Sequence, residues 1–179
     1  LGLSFELDPG WHIYWLNAGD AGIPPSMSWT DTSDLSADTA GAFSWPTPEL
    51  LPIVDGEIMD YGYSAAVVLP FPVQIPDTGA QRFDATGRTD YLICKDICIP
   101  ESADLNLSFE IGEQQSPNLP HASLIADALS QVPSVLDGEA RLTKRGDSWI
   151  LSAAGMGLVG DFDGARFFPD DHDIKHAAD

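Results

Sequence analysis

Short alternating runs, each cut off by a turn, constrain this chain more than any other feature. Leu3, Phe5 and Leu7 alternate with Ser4, Glu6 and Asp8 until Asp8-Pro9-Gly10. Side chains that change face at every residue belong on a strand. In WHIYWL, Trp11, Ile13 and Trp15 then fall on one face, and His12, Tyr14 and Leu16 on the other. The first face reads as core, with Trp11 and Trp15 inside. The second carries a His and a Tyr, more polar than a buried face would select. SMSWTD (26–31) and AFSWPTPE (42–49) read as two more short strands. EIMDYGYSAAVVLPFPVQIP (57–76) reads as a loop around Asp60-Tyr61-Gly62 and then a β-rich run. Pro70, Pro72 and Pro76 make that run an edge strand or an irregular end. QRFDATGRTDYLIC (81–94) and ADLNLSFEIG (103–112) resume the alternation. Strands of this length and spacing, in a chain with 14 Pro and 16 Gly, predict a β-sandwich.

The alternation stops at LPHASLIADALSQVP. Leu124, Ile125, Ala128 and Leu129 recur at helical spacing, which predicts a helix over 119–131 that ends at Pro133. GEARLTKRGDSWILSAAG (138–155) reads as a hairpin turning at Arg145-Gly146-Asp147, and GARFFPDDHDIKHAAD (164–179) as a short strand with a polar tail. A stretch of this size holds no core of its own. The expected organisation is therefore a sandwich over 1–117, a helical linker over 118–138 and part of a second β unit over 139–179.

The chain carries 28 acidic against 8 basic residues, a formal charge of −20. Such a surface repels phosphate backbones and argues against a nucleic-acid partner. No run of 18 apolar residues is present to span a bilayer. The opening, LGLSFELDPG, starts in mid-pattern without an initiator Met, as expected if a leader has been removed or the chain is an excised piece. No nucleophile elbow or Gly-rich phosphate loop is present. His121, His172 and His176 read as solvated residues of the helix and tail.

Both cysteines lie in YLICKDICIP (91–100), as Cys94 and Cys98. If one ends a strand and the other begins the next, Lys95-Asp96-Ile97 is a three-residue hairpin loop. Directly opposed Cβ atoms stand about 4.5–5.5 Å apart, and a relaxed disulfide wants about 3.5–4.5 Å. The bond is then expected to form under strain. Strained and exposed disulfides are the easily reduced ones, and so small a loop adds little as an entropic staple. Three readings stay open on the residues alone. The pair is a passive hairpin disulfide, or a centre for thiol–disulfide exchange. Otherwise it is a Cu(I) clamp that adds Met59 or His12, since two sulfurs alone fall short of a structural zinc site. For exchange, Lys95 favours a thiolate and Asp96 opposes it.

Four stretches carry a resemblance. GWHIYWLNAGDAGIP (10–24), SWPTPE (44–49), Tyr61-Gly62 with VVLPFPV (67–73), and CKDICIPE (94–101) occur in that order. Together they resemble the N-terminal periplasmic domain of the DsbD-type thiol:disulfide interchange proteins. They are most similar to the ScsB-like branch, which is linked to suppression of copper sensitivity. The resemblance covers about residues 1–115, and the 164–178 stretch is similar to the sequence that follows this domain in that branch, where a second β module begins.

The resemblance implies an all-β fold, an immunoglobulin-like β-sandwich followed by one helix and the start of a second β unit. It implies a periplasmic module of an inner-membrane protein. Such a module takes electrons from a thioredoxin-like domain fed through the membrane and reduces thioredoxin-fold partners. It needs no cofactor and no metal, because the sulfurs carry the electrons. Cys98 takes the position of the cysteine that forms the mixed disulfide, and Cys94 that of the resolving thiol. The family's cap loop falls at 57–63, over Met59, Asp60, Tyr61, Gly62 and Tyr63. Asp60 stands where the best-known branch has a shielding aromatic, a role that passes here to Met59 or Tyr61. That branch also spaces its cysteines more widely. Family tyrosines near the cysteines match His12 and Tyr14.

Overall fold

The computed structural model describes residues 1–30, 34, 36, 38–75, 81–112, 121–155 and 163–171. By contact, the chain divides into two units, Leu1–Val132 with Phe168 onward, and Pro133–Phe167.

The first unit is an immunoglobulin-like β-sandwich of eight described strands. They are β1 (Gly2–Glu6), β2 (His12–Gly19), β3 (Ser26–Trp29), β4 (Glu49–Ile53), β5 (Ile58–Ser64), β6 (Ala66–Pro70), β7 (Arg82–Cys94) and β8 (Cys98–Glu110). β1 and β6 pair antiparallel as one two-stranded sheet. The other sheet runs β3-β7-β2-β5-β4, with β8 added on β7. β7 pairs along its whole length with β8, from Arg82–Glu110 to Cys94–Cys98. Along its other edge it meets β3, with Gly87–Asp90 against Ser26–Trp29. It then meets β2 at a single position, His12 opposite Cys94.

The alternation seen in the sequence becomes the core. Leu3, Phe5, Ile13, Trp15, Tyr61, Tyr63, Val67 and Leu69 form the main cluster between the sheets. Ile13, Tyr61 and Leu69 are fully sealed from water. Side chains of this kind each contribute about 1.5–3 kcal/mol when fully buried. Phe71, Phe83 and Ala85 continue the core along β7. Trp11 is only half-buried, because it lies in the turn before β2 rather than in the sheet.

Several expectations change. AFSWPTPE forms no strand; its prolines carry residues 42–48 as irregular chain, and β4 begins only at Glu49. The stretch read as a loop around Asp60-Tyr61-Gly62 is instead β5, held between β2 and β4. Gly62 makes this close pairing workable, since a side chain there would collide with the Ile13 carbonyl oxygen. β6 does end at Pro70; Pro76 lies outside the described residues.

The helix α1 (Ala122–Ser130) is shorter than the predicted 119–131 span, of which 119 and 120 lie outside the described residues. It packs on the sandwich, against β6. Ala128 is buried, and the Gln131 carbonyl accepts from the Thr47 amide at 2.9 Å and its hydroxyl at 3.1 Å.

The second unit contains a hairpin, β9 (Gly138–Arg145) and β10 (Ser148–Gly155), with Arg145 opposite Ser148. Gly146 supplies the positive φ (62°) of its two-residue turn. Every residue of both strands is exposed. Residues 164–168, read as a short strand, form none. Phe168 rejoins the first unit, where its ring meets Trp15 and Tyr61 edge-on. His172 and His176 lie outside the described residues.

Candidate functional site

Cys94 ends β7, Cys98 begins β8, and Lys95-Asp96-Ile97 is the turn between them. The sulfurs are bonded, across Cα atoms 4.1 Å apart. The two cysteines differ sharply in surroundings. Cys94 is 2% exposed, because β7 is an interior strand and β2 crosses beside it. Cys98 is exposed, since among the described residues β8 pairs only with β7.

β2 supplies the residues around Cys94. Tyr14 and His12 lie two apart on one face, and both are buried, although that face is more polar than a buried face would select. The Tyr14 hydroxyl donates to Cys94 Sγ at 2.9 Å and lies 3.6 Å from Cys98 Sγ. Burial pushes the Tyr14 phenol up to about 12, with a smaller push from the Asp60 carboxylate. Tyr14 therefore remains a donor throughout the physiological range. The His12 ring meets the Tyr14 ring edge-on, with centroids 5.3 Å apart. Burial lowers the His12 pKa and keeps the ring neutral near pH 7. Tyr14, Ala18 and Cys94 form a small buried cluster with Leu92 against it.

LNAGDAG (16–22) explains how Tyr14 is held. Between Tyr14 and Gly19 the β2–β5 pairing slips, from Tyr14–Gly62 to Gly19–Asp60. Side-chain oxygens tie the slipped segment down. Asn17 Oδ1 accepts from the Gly19 amide, Asp20 Oδ2 from Met59, and Asp60 Oδ1 from Ala21. Asn17 Nδ2 donates to the Pro169 and Asp171 carbonyls at 2.9 and 3.1 Å. Gly22, at φ 105°, lies against the Tyr14 ring, where any side chain would collide with it.

The other expected site residues lie elsewhere. Met59 packs against the main core, which also contains Tyr61 and Tyr63. The Tyr63 hydroxyl donates to the Pro46 carbonyl at 2.7 Å. Asp60 is buried and reaches the site through its charge on Tyr14. Lys95 is exposed, with Nζ 3.3 Å from the Pro9 carbonyl. Among the described residues no group of three His, Cys, Asp or Glu is arranged to hold a metal ion. No described helix is long and apolar enough to cross a membrane. Gly22 and Asn17 were not singled out from the sequence; their signal was the polar, Gly-rich end of a strand that turns no corner.

The fold and the site together define a class: an immunoglobulin-like sandwich carrying a disulfide in a strand-to-strand turn, one sulfur buried and the other exposed. A family model for the N-terminal part of the thiol:disulfide interchange protein DsbD matches residues 1–110, and the chain belongs to that family. The match ends where β8 ends. The chain is also similar to the crystal structure of the N-terminal periplasmic domain of ScsB from Proteus mirabilis. The TM-score is 0.63 at 23% identity, over 87% of this chain and 57% of that one. This chain thus spans little more than half the length of that structure, and the likeness speaks for the fold. No curated protein matches the chain.

Proposed function

We propose that the chain is a thiol–disulfide exchange module of the periplasm, the protein-disulfide reductase domain of a longer inner-membrane protein. It takes electrons from a thioredoxin-like domain of that protein and passes them to thioredoxin-fold partners. Membership of the interchange family supports the chemistry. The observation that carries the roles is the asymmetry of the pair, Cys98 exposed and Cys94 buried on the Tyr14 hydroxyl.

The steps follow from that asymmetry. A donor thiolate attacks the exposed Cys98 Sγ. The Cys94–Cys98 bond breaks, and its electron pair leaves on Cys94 Sγ, where the Tyr14 O–H stabilises the charge. The donor's second thiolate then attacks its own sulfur in the mixed disulfide. The donor leaves oxidised, and the module retains two electrons and two protons. In the second half, the Cys98 thiolate attacks the acceptor's disulfide. Cys94 then attacks Cys98 Sγ, re-forms the bond and expels the reduced acceptor. The two sulfurs carry both electrons, so no cofactor enters.

The reduction potential of the pair, measured by equilibration in glutathione or dithiothreitol buffers, tests this reading. A relay is expected between the thioredoxin value of about −270 mV and the range of about −180 to −120 mV of oxidising partners. A value well below about −300 mV marks a bond that resists thiol pools, a structural staple.

A further inference from the structure

We propose that the His12 imidazole is the proton carrier for Cys94 during exchange. The inference rests on the exchange reading above and assigns a role which that reading leaves empty.

His12 stands opposite Cys94 at the one point where β2 pairs with β7. Directly opposed residues of an antiparallel pair share a face, with Cβ atoms about 4.5–5.5 Å apart. The imidazole is thus on the Cys94 face of the sheet, beside the Tyr14 ring whose hydroxyl touches the Cys94 sulfur. Among the described residues, only two buried side-chain nitrogens or oxygens lack a hydrogen-bond partner, His12 Nε2 and Trp15 Nε1. Trp15 fills the main core with its ring area, edge-on to Tyr61 and Phe168. His12 is 6% exposed and lies outside that core, with its ring edge-on to Tyr14, so ring area in the main core does not account for its bare nitrogen. An unmet buried polar atom of this kind destabilises the fold. A group kept at such a cost beside a reactive sulfur marks a function.

The chemistry needs such a group. Cys98 is exposed and exchanges its proton with water, whereas Cys94 is sealed. Tyr14 stabilises a Cys94 thiolate but does not protonate it, because its phenol is held at about 12 and a thiol titrates near about 8.5. The other ionisable groups around His12 are engaged elsewhere. Lys95, next along the turn, reaches the Pro9 carbonyl. Glu49 of β4 accepts at 2.6 Å from Ser64 of β5, the residue opposite His12 on its other side. Asp60 of β5 accepts from the Ala21 amide. Burial keeps the imidazole neutral and ready to accept.

In the resolving step, the neutral imidazole takes the Cys94 S–H proton as Sγ attacks Cys98. The Cys94–Cys98 bond forms, and the bond from Cys98 to the partner sulfur breaks. The electron pair leaves on the partner's sulfur, and the imidazolium gives that thiolate its proton. In the reverse direction, the neutral imidazole takes the proton of the attacking partner thiol, and the imidazolium then gives it to the departing Cys94 thiolate.

The test uses the whole reduced chain and oxidised glutathione, a small disulfide that needs no docking surface. Rapid acid quench and mass spectrometry follow the Cys98–glutathione intermediate and its resolution by Cys94 between pH 5 and 9. His12→Phe and His12→Gln should slow resolution on the order of 100-fold at pH 7, the lower range for general acid–base catalysis. Their rates should then climb about tenfold per pH unit towards the thiol pKa, whereas the wild-type rate stays nearly flat around neutrality. His12→Ala should recover rate with added imidazole, which a packing role would not. Wild-type rates and profiles in His12→Gln, a variant that keeps a polar side chain should His12→Phe fail to fold, would overturn the proposal alone. Failure of Cys94→Ala to accumulate the glutathione adduct would instead overturn the exchange reading beneath it.

Discussion

Two pairs of residues on opposite faces of β2, Ile13 with Trp15 and His12 with Tyr14, are equally buried and built on opposite terms. Ile13 and Trp15 face the main core, where Ile13 is sealed and has no polar side-chain atom to satisfy. His12 and Tyr14 are sealed to the same degree but carry groups that need partners. Tyr14 finds its partner in a cysteine sulfur, and His12 Nε2 finds none. One face is thus explained by area removed from water. The other faces Cys94, to whose sulfur Tyr14 donates. Burial alone does not separate core from site, nor does an unpartnered atom alone, since Trp15 Nε1 also lacks a partner; what the side chain faces does.

Substitutions on the two faces should separate accordingly. Ile13→Ala should cost about 2–5 kcal/mol of stability by leaving a cavity, while the exchange rate of the protein that remains folded is unchanged. Chemical denaturation and a glutathione exchange assay on the same samples give both values. Tyr14→Phe should do the reverse. It removes the donor on the Cys94 thiolate, a charge-assisted bond worth about 1.5–3 kcal/mol. Exchange should slow on the order of 10- to 100-fold, with a smaller loss of stability. A Tyr14→Phe protein at the wild-type rate would place both faces of β2 in the same structural role.

A smaller effect concerns pH. Burial lowers the His12 pKa in the folded state. Between that value and the ordinary value of about 6.5, the unfolded chain binds the extra proton and the folded chain does not. Stability contributed by His12 is therefore fully present above about pH 6.5 and is lost as the pH falls towards the folded value. Denaturation midpoints at pH 7 and pH 5 should differ less in His12→Phe than in the wild type. An unchanged difference would mean that His12 titrates as an exposed residue.

Much of this was legible in the sequence because it depends on local pattern. The alternation around Leu3, Phe5 and Leu7, the turn at Asp8-Pro9-Gly10 and the hairpin at Gly146 need only neighbours in the chain. So did the strand–turn–strand form of CKDIC, and the family motifs named the interchange class. What was hidden depends on pairing between distant strands. His12 and Tyr14 read as too polar for a buried face because their burial comes from β2 pairing beside Cys94. The stretch around Asp60-Tyr61-Gly62 read as loop because Asp60 and Gly62 are poor strand formers in isolation. Pairing on both edges, with the Ile13 carbonyl close against Gly62, overrides that preference. The asymmetry of the cysteines was equally hidden: only the sheet order tells which of the two lies on an edge strand.

That asymmetry is the centre of the account, and trapping tests it most directly. Cys94→Ala and Cys98→Ala are each reduced and mixed with a disulfide-bonded thioredoxin-fold protein, and mixed disulfides are resolved on non-reducing gels. Cys94→Ala, which keeps the exposed attacking sulfur and lacks the resolving one, should accumulate the adduct. Cys98→Ala should form almost none. Equal trapping by both variants, or trapping by Cys98→Ala alone, would contradict the roles assigned to the two sulfurs.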